Sequence, residues 1–128
     1  MPQENVDVVR RAWEAHNRHD NEAAFRLYVP EIEIHNAMGV VYRGVNGVRE
    51  FFRDYLGAMD DTGAEVEEWI DGRDRVMAVM RVWGRGRRSG ARVEHHEFHV
   101  WTVRDGKLAR LYVYTHRSEA LKAAGLEE

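Results

Sequence analysis

Residues 92–116 read RVEHHEFHVWTVRDGKLARLYVYTH. Two runs rich in Val, Phe, Trp and Tyr flank Asp105-Gly106, the dipeptide that best tolerates the positive φ angles of a two-residue hairpin turn. With a two-residue turn and an unbroken ladder, Trp101 faces Arg110, His99 faces Tyr112, Glu97 faces Tyr114 and His95 faces His116. Side chains alternate between the two faces of a strand. This register predicts one face of Glu97, His99, Trp101, Tyr112, Tyr114 and His116. The other face would hold Phe98, Val100, Thr102, Ala109, Leu111 and Val113. The first mixes aromatic rings with titratable groups; the second is almost wholly apolar.

Upstream, residues 64–71 and 75–85 read as further strands, with Asp71-Gly72 as a second hairpin turn and Gly86 to Gly90 as a looser one. The amino-terminal half has another period. Val6, Val9 and Trp13 mark a helix over about residues 4–18, and Asp20 caps a short helix ending near Tyr28. Pro30 stops it, and Glu31 to His35 alternates like a half-buried strand. Val48, Phe51, Phe52, Tyr55, Leu56 and Met59 form one apolar helical stripe. Ser118 to Ala124 reads as a terminal helix closed by Gly125. Helices first and hairpins last make an α+β fold, with a curved antiparallel sheet wrapped over three amino-terminal helices.

Composition agrees with one domain spanning residues 1–128. The chain is 44% hydrophobic and 32% charged and has no cysteine, which excludes disulfides and thiolate chemistry. No apolar run is long enough to span a bilayer and no signal-peptide pattern opens the chain, so the expected compartment is the cytoplasm. The net charge is −3. Arg81, Arg85, Arg87, Arg88 and Arg92 gather around one hairpin, but little aromatic interleaving accompanies them, and no nucleic-acid partner is expected. The scarcity of Lys beside Arg fits a GC-rich bacterial genome.

Four strings carry a resemblance: Leu27-Tyr28-Val29-Pro30-Glu31, Tyr42-Arg43-Gly44-Val45-Asn46-Gly47-Val48-Arg49-Glu50-Phe51, Val103-Arg104-Asp105-Gly106-Lys107-Leu108 and Arg117-Ser118-Glu119-Ala120-Leu121. Together with the element order they resemble the SnoaL-like group of the nuclear-transport-factor-two-like superfamily. The resemblance implies a cone-shaped α+β fold with a deep cavity, often a homodimer, and relatives that include polyketide cyclases, ketosteroid isomerases, limonene-type epoxide hydrolases, dehydratases and non-catalytic binders. Cyclases and epoxide hydrolases of this kind place an acid late in the last strand, where this chain has His116. Ketosteroid isomerases use an Asp at the end of the first strand, where this chain has His35-Asn36.

The residues therefore point to cofactor-independent histidine acid–base chemistry on a small apolar ring-type molecule. His99 or His116 would carry the proton, since histidine titrates near neutrality, and Glu97 would tune it. The two-residue spacing of Glu97 and His99 gives a rise of about 6.6–7 Å and allows only an indirect or long-side-chain contact. Tyr112, Tyr114 and His35 would hold a ligand oxygen. Trp13, Tyr28, Phe51, Phe52, Tyr55, Trp83 and Trp101 would supply core and cavity wall. His95, Glu97 and His99 share a face, but neither metal nor cofactor is expected. The apolar outer face of the sheet would pair two copies of the chain. The alternative is a ligand-binding or dimeric interaction module with the same cavity and no chemistry.

Overall fold

The computed structural model describes residues 4–18, 20–57 and 59–126, without the side chains of residues 55–57 and 59. Helix α1 (Glu4–Asn17) and the short α2 (Asn21–Phe25) precede strand β1 (Tyr28–His35) and the short β2 (Val41–Arg43). Helix α3 (Gly44–Gly57) follows, then β3 (Met59–Gly72), β4 (Arg75–Gly86), β5 (Arg92–Arg104), β6 (Lys107–Tyr114) and α4 (Arg117–Ala123). One six-stranded sheet results, in the order β2-β1-β6-β5-β4-β3. β3 to β6 form the expected antiparallel meander, and β1 closes onto β6 in parallel.

The α+β reading holds, with local differences. Asp20 caps α2 by accepting from the Ala23 amide at 3.3 Å. The apolar stripe of α3 is preceded by four more helical residues, because Gly44 turns the chain at φ +71° and Gly47 lets the helix lie on β2. A Cβ at Gly47 would stand 2.9 Å from the Tyr42 carbonyl carbon. The β3–β4 turn is Arg73-Asp74 rather than Asp71-Gly72, since Gly72 still pairs with Arg75. Arg73 takes the positive φ, at +73°, with its amide held by the Asp71 carboxylate at 2.8 Å.

The correction that matters most lies in β5 and β6. Asp105-Gly106 does make the two-residue turn, both at positive φ. The ladder, however, runs Arg104 to Lys107, Val103 to Leu108, and then Thr102 to Arg110. Ala109 is an extra residue, a β-bulge. Beyond it every β6 residue moves one place against β5: Val100 faces Tyr112, His99 faces Val113 and Phe98 faces Tyr114. A one-residue slip exchanges the two faces of a strand. Leu111 and Val113 therefore join Glu97, His99 and Trp101 on the inner face, and Tyr112 and Tyr114 turn outward with Phe98 and Val100.

The inner face, α1 and α3 enclose the main core, in which Ile32, Leu108 and Val76 are 0% exposed. The apolar part of the outer face is not left bare. Helix α4 lies over Met77, Val79 and Val100, with Ala120 and Ala124 buried against them. The arginine hairpin is largely neutralised within the chain. Arg81 reaches Glu94 at 2.6 Å, Glu65 at 3.3 Å and Glu67 at 3.8 Å, and Arg87 reaches Asp60 at 3.0 Å. These carboxylates stand on the neighbouring strands β3 and β5 of the same chain.

Candidate functional site

Between the inner sheet face and the helices lies a cavity of about 620 Å³. Trp13, Phe51, Phe52, Met80, Val82 and Val113 belong to its apolar wall; His16, Asn17, Asn21, Asn36, Tyr42, Asp54, Thr62, Glu97 and His99 bring polar groups to it. A void of about 60 Å³ continues beneath it between Tyr28, Trp69, Trp101 and Leu111. His99, His16, Trp13, Phe51, Phe52 and Met80 line both spaces. Apolar walls with a few convergent polar groups, at this volume, are the usual form of a small-molecule site.

The sharpest chemistry sits on β5. His95, Glu97 and His99 point to one face, and Glu97 spans the gap that strand spacing leaves between alternate residues. Its Oε1 lies 3.0 Å from His99 Nε2 and its Oε2 lies 3.1 Å from His95 Nε2. The contact is direct, made by the long side chain. Burial pushes the Glu97 carboxyl up, yet the hydrogen bonds and charges of His99 and then His95 outweigh it and hold the group below the ordinary carboxylate range. An ionised carboxylate can only accept, so each imidazole offers Nε2–H to it. In a neutral His99 this leaves Nδ1 with the lone pair. Side-chain exposure is 14% for His99 and 19% for Glu97, against 48% for His95. His99 is thus the most sheltered member of the trio, and it lines the cavity together with Glu97.

A second histidine, absent from the expected site, stands on α1. His16 Nδ1 is 2.9 Å from Asn21 Oδ1, and its Nε2 is 2.6 Å from the Tyr28 hydroxyl. Burial holds the His16 pKa below 6.5, against a smaller opposing effect of the Asn21 hydrogen bond. Burial likewise pushes the Tyr28 phenol far up. Both rings are therefore neutral at pH 7, and one proton arrangement satisfies them: Nδ1–H donates to Asn21 Oδ1, and the Tyr28 O–H donates to Nε2. The Asn21 amide N–H groups remain to donate elsewhere. The signal for His16 was present in the sequence, since it extends the Val6, Val9, Trp13 stripe by three residues.

The other expected residues divide. Trp13, Phe52, Tyr28 and Trp101 line the cavity or its deep end. The Tyr55 side chain lies outside the described residues. Tyr112 and Tyr114 are on the outer face, stacked on each other with centroids 6.3 Å apart. His35 joins them there, 4.2 Å from the Tyr112 ring and hydrogen-bonded to Glu33 at 3.0 Å. Trp83 also faces outward, over Gly63, with the Arg81 guanidinium 4.6 Å from its ring. A Cβ at Gly63 would stand 2.3 Å from that ring, so only glycine fits. His116 is the exposed residue before α4 and is not among the residues that line either space. Among the described residues no group of three His, Asp or Glu side chains is arranged to hold a metal ion, and no helix is long and apolar enough to cross a membrane.

The fold is that of nuclear-transport-factor-two-like proteins. An NTF2-like protein of Burkholderia thailandensis is 28% identical to this chain, covers 95% of each, and superposes with a TM-score of 0.81. The chain belongs to the SnoaL-like domain family, which matches residues 9–111. An uncharacterized protein of Mycobacterium tuberculosis is 30% identical over 113 residues, covering 84% of this chain and 85% of the relative. TerC, solved with polyporic acid, has a TM-score of 0.78 at 19% identity, over 95% of this chain and 98% of TerC. The same fold is shared by a putative SnoaL-like polyketide cyclase of Jannaschia, 17% identical with a TM-score of 0.79 over 99% of this chain and 94% of that one.

Proposed function

We propose that this chain is a cofactor-independent acid–base catalyst acting on a small, ring-bearing apolar molecule. The observation that carries this reading is the Glu97–His99 pair at 3.0 Å in the wall of the cavity. His99 Nδ1 is the base. The proton leaves a C–H beside a substrate carbonyl and bonds to Nδ1, and the C–H electron pair moves into the carbonyl as an enolate. Glu97 holds the imidazole tautomer and balances the imidazolium charge. An Asn21 or Asn17 amide N–H is the available donor to the enolate oxygen. His99 then returns the proton to another atom, which gives isomerisation, or assists ring closure or loss of water. Positioned proton transfer of this kind accelerates a reaction about 10²–10⁴-fold.

Proton transfer can be tested without knowing the product. Ring-bearing ketones are screened for binding by thermal shift, then incubated in D₂O and followed by NMR for deuterium uptake. Wild-type protein is expected to speed exchange at the acidic C–H, and His99→Gln to abolish it while leaving the melting temperature within a few degrees. A bound ketone that exchanges equally fast with His99→Gln overturns the assignment. A bound ketone that wild-type protein does not exchange leaves the second reading, a binding module with the same cavity. That reading draws on the His16–Tyr28–Asn21 network, in which both nitrogens of His16 are already engaged. Pairing of two copies through the half-buried His35, Tyr112 and Tyr114 strip, in the cytoplasm, completes the proposal; equilibrium sedimentation tests the pairing.

A further inference from the structure

The cavity wall holds carboxylates and imidazoles but, among the described residues, no permanent cation. Asp54 and Glu97 are carboxylates, His16 and His99 are imidazoles, and among the described residues no Lys or Arg contributes to the wall. This is not a general lack of cations, since 17 arginines are present in the chain. Arg49, five residues before Asp54 on α3, is turned away to Glu22 at 3.0 Å and lies over the Phe25 ring at 4.8 Å. Arg81 on β4, between the lining residues Met80 and Val82, points to the opposite sheet face and is tied by three carboxylates.

The wall on the α3 side is a run of aromatic rings. Tyr42 meets Phe51 edge to face at 5.5 Å and 77°, and Phe51 meets Phe52 at 5.3 Å and 75°. His16 follows, 4.6 Å from Phe52. Successive near-perpendicular rings form a corner, and the negative faces of aromatic rings attract cations. At the rim, Asp54 Oδ2 accepts from the Tyr42 hydroxyl at 2.9 Å. That bond fixes the carboxylate beside the first ring and leaves Oδ1 for a ligand.

We propose that the cavity takes a ligand bearing a cationic amine on an apolar ring body, and discriminates against carboxylates and phosphates. The inference rests on the reading of this cavity as a small-molecule site and names the chemical class it accepts. The ring body packs against Trp13 and Phe52 towards His99. The ammonium sits at the Tyr42–Phe51 corner beside Asp54. An anion at that corner would lose hydration and meet the Asp54 carboxylate, with no Lys or Arg among the described residues of the wall to offset it.

Three probes of one shape test it: (2-naphthylmethyl)trimethylammonium, its neutral carbon isostere 2-neopentylnaphthalene, and 2-naphthylacetate. Dissociation constants are read from tryptophan quenching and checked by thermal shift. The cation is expected to bind about five- to thirtyfold tighter than the neutral isostere, the range that cation–π contacts supply. The anion is expected to bind most weakly. Asp54→Asn should reduce the cation's advantage about two- to fivefold, the size of a partly exposed charge pair, and high salt should do the same. Equal or tighter binding of the neutral or anionic probe overturns the charge preference while leaving the cavity reading intact. Failure of all three to bind overturns both.

Discussion

The two faces of the β5–β6 hairpin are made from the same alternating residues, yet they differ in kind. The inner face buries Leu111 and Val113 and brings His99 to a cavity with its Nε2 bound by Glu97. The outer face carries a half-exposed ladder of His35, Tyr112 and Tyr114, and beside it an apolar patch under α4. One bulged residue, Ala109, decides which set goes where. A turn can be read correctly and the site beyond it still be misplaced, because face assignment depends on the parity of the ladder and not on the turn.

Placing a charge on the inner face is the most severe way to break the distinction. Leu111 is 2% exposed and packed in the main core, and Leu111→Asp would bury a carboxylate with no partner, at a cost of about 3–5 kcal/mol. Deleting Ala109, by contrast, removes only the extra residue and leaves Thr102 opposite Arg110 and Trp101 opposite Leu111, so each face keeps its residues. The expected outcome is a Leu111→Asp variant with no cooperative thermal transition and an Ala109 deletion that retains one; a Leu111→Asp melting curve like that of wild type would contradict the face assignment.

His99 and Tyr112 give the functional contrast. His99→Ala should remove about 10²–10⁴-fold of the deuterium-exchange rate, while Tyr112→Leu leaves it unchanged. Equal losses in the two variants would mean that the faces do not differ in role.

The packing contrast is intermediate in size. Leu108, 0% exposed, lies on the inner side of the bulge, and Leu108→Ala should cost about 2–5 kcal/mol by denaturant titration. Tyr112→Leu removes only ring contacts on the outer face and should cost about 1 kcal/mol.

The smallest effect is in pH. His16 is held below 6.5 by burial, so as pH falls through 6.5 the unfolded chain takes up a proton first and the native state loses stability. The loss levels off once the pH passes the folded value. Glu97 acts lower: its depressed carboxyl supports the fold above the ordinary carboxylate range, and that support is lost as pH falls through its folded pKa. Melting temperatures of wild type and His16→Gln should therefore converge between pH 7 and pH 5.5. Parallel curves would show that His16 is not buried neutral.

Most of the architecture was legible in the sequence because it depends on period and punctuation. The stripe from Val48 that marks α3, the alternation around Ile32 and Ile34, and the Asp105-Gly106 turn need only local residues, though the helix ends at Gly57 and Met59 begins β3. Glu97 and His99 were legible as a pair because alternate residues on one strand must share a face. What was hidden depends on contacts between elements. Nothing near Ala109 marks a bulge; it follows from closing β6 against both β5 and β1. His16 meets Tyr28 and Asn21 only once α1 crosses the sheet. Arg73 displaces the expected glycine turn because Gly72 is needed beside the chain end, where a Cβ would stand 2.9 Å from the Ala124 carbonyl oxygen.

The central claim is that His99 stands in the cavity with its proton on Nε2 and a bare Nδ1 facing a ligand. Nitrogen-correlated NMR of the imidazole rings, with His99→Gln for assignment, reports this directly. The account predicts an Nε2–H tautomer for neutral His99, with Nδ1 responding when a ring-bearing ligand binds and the His35 ring unmoved. A proton on Nδ1, or a His99 signal indifferent to a ligand that does bind, would contradict it.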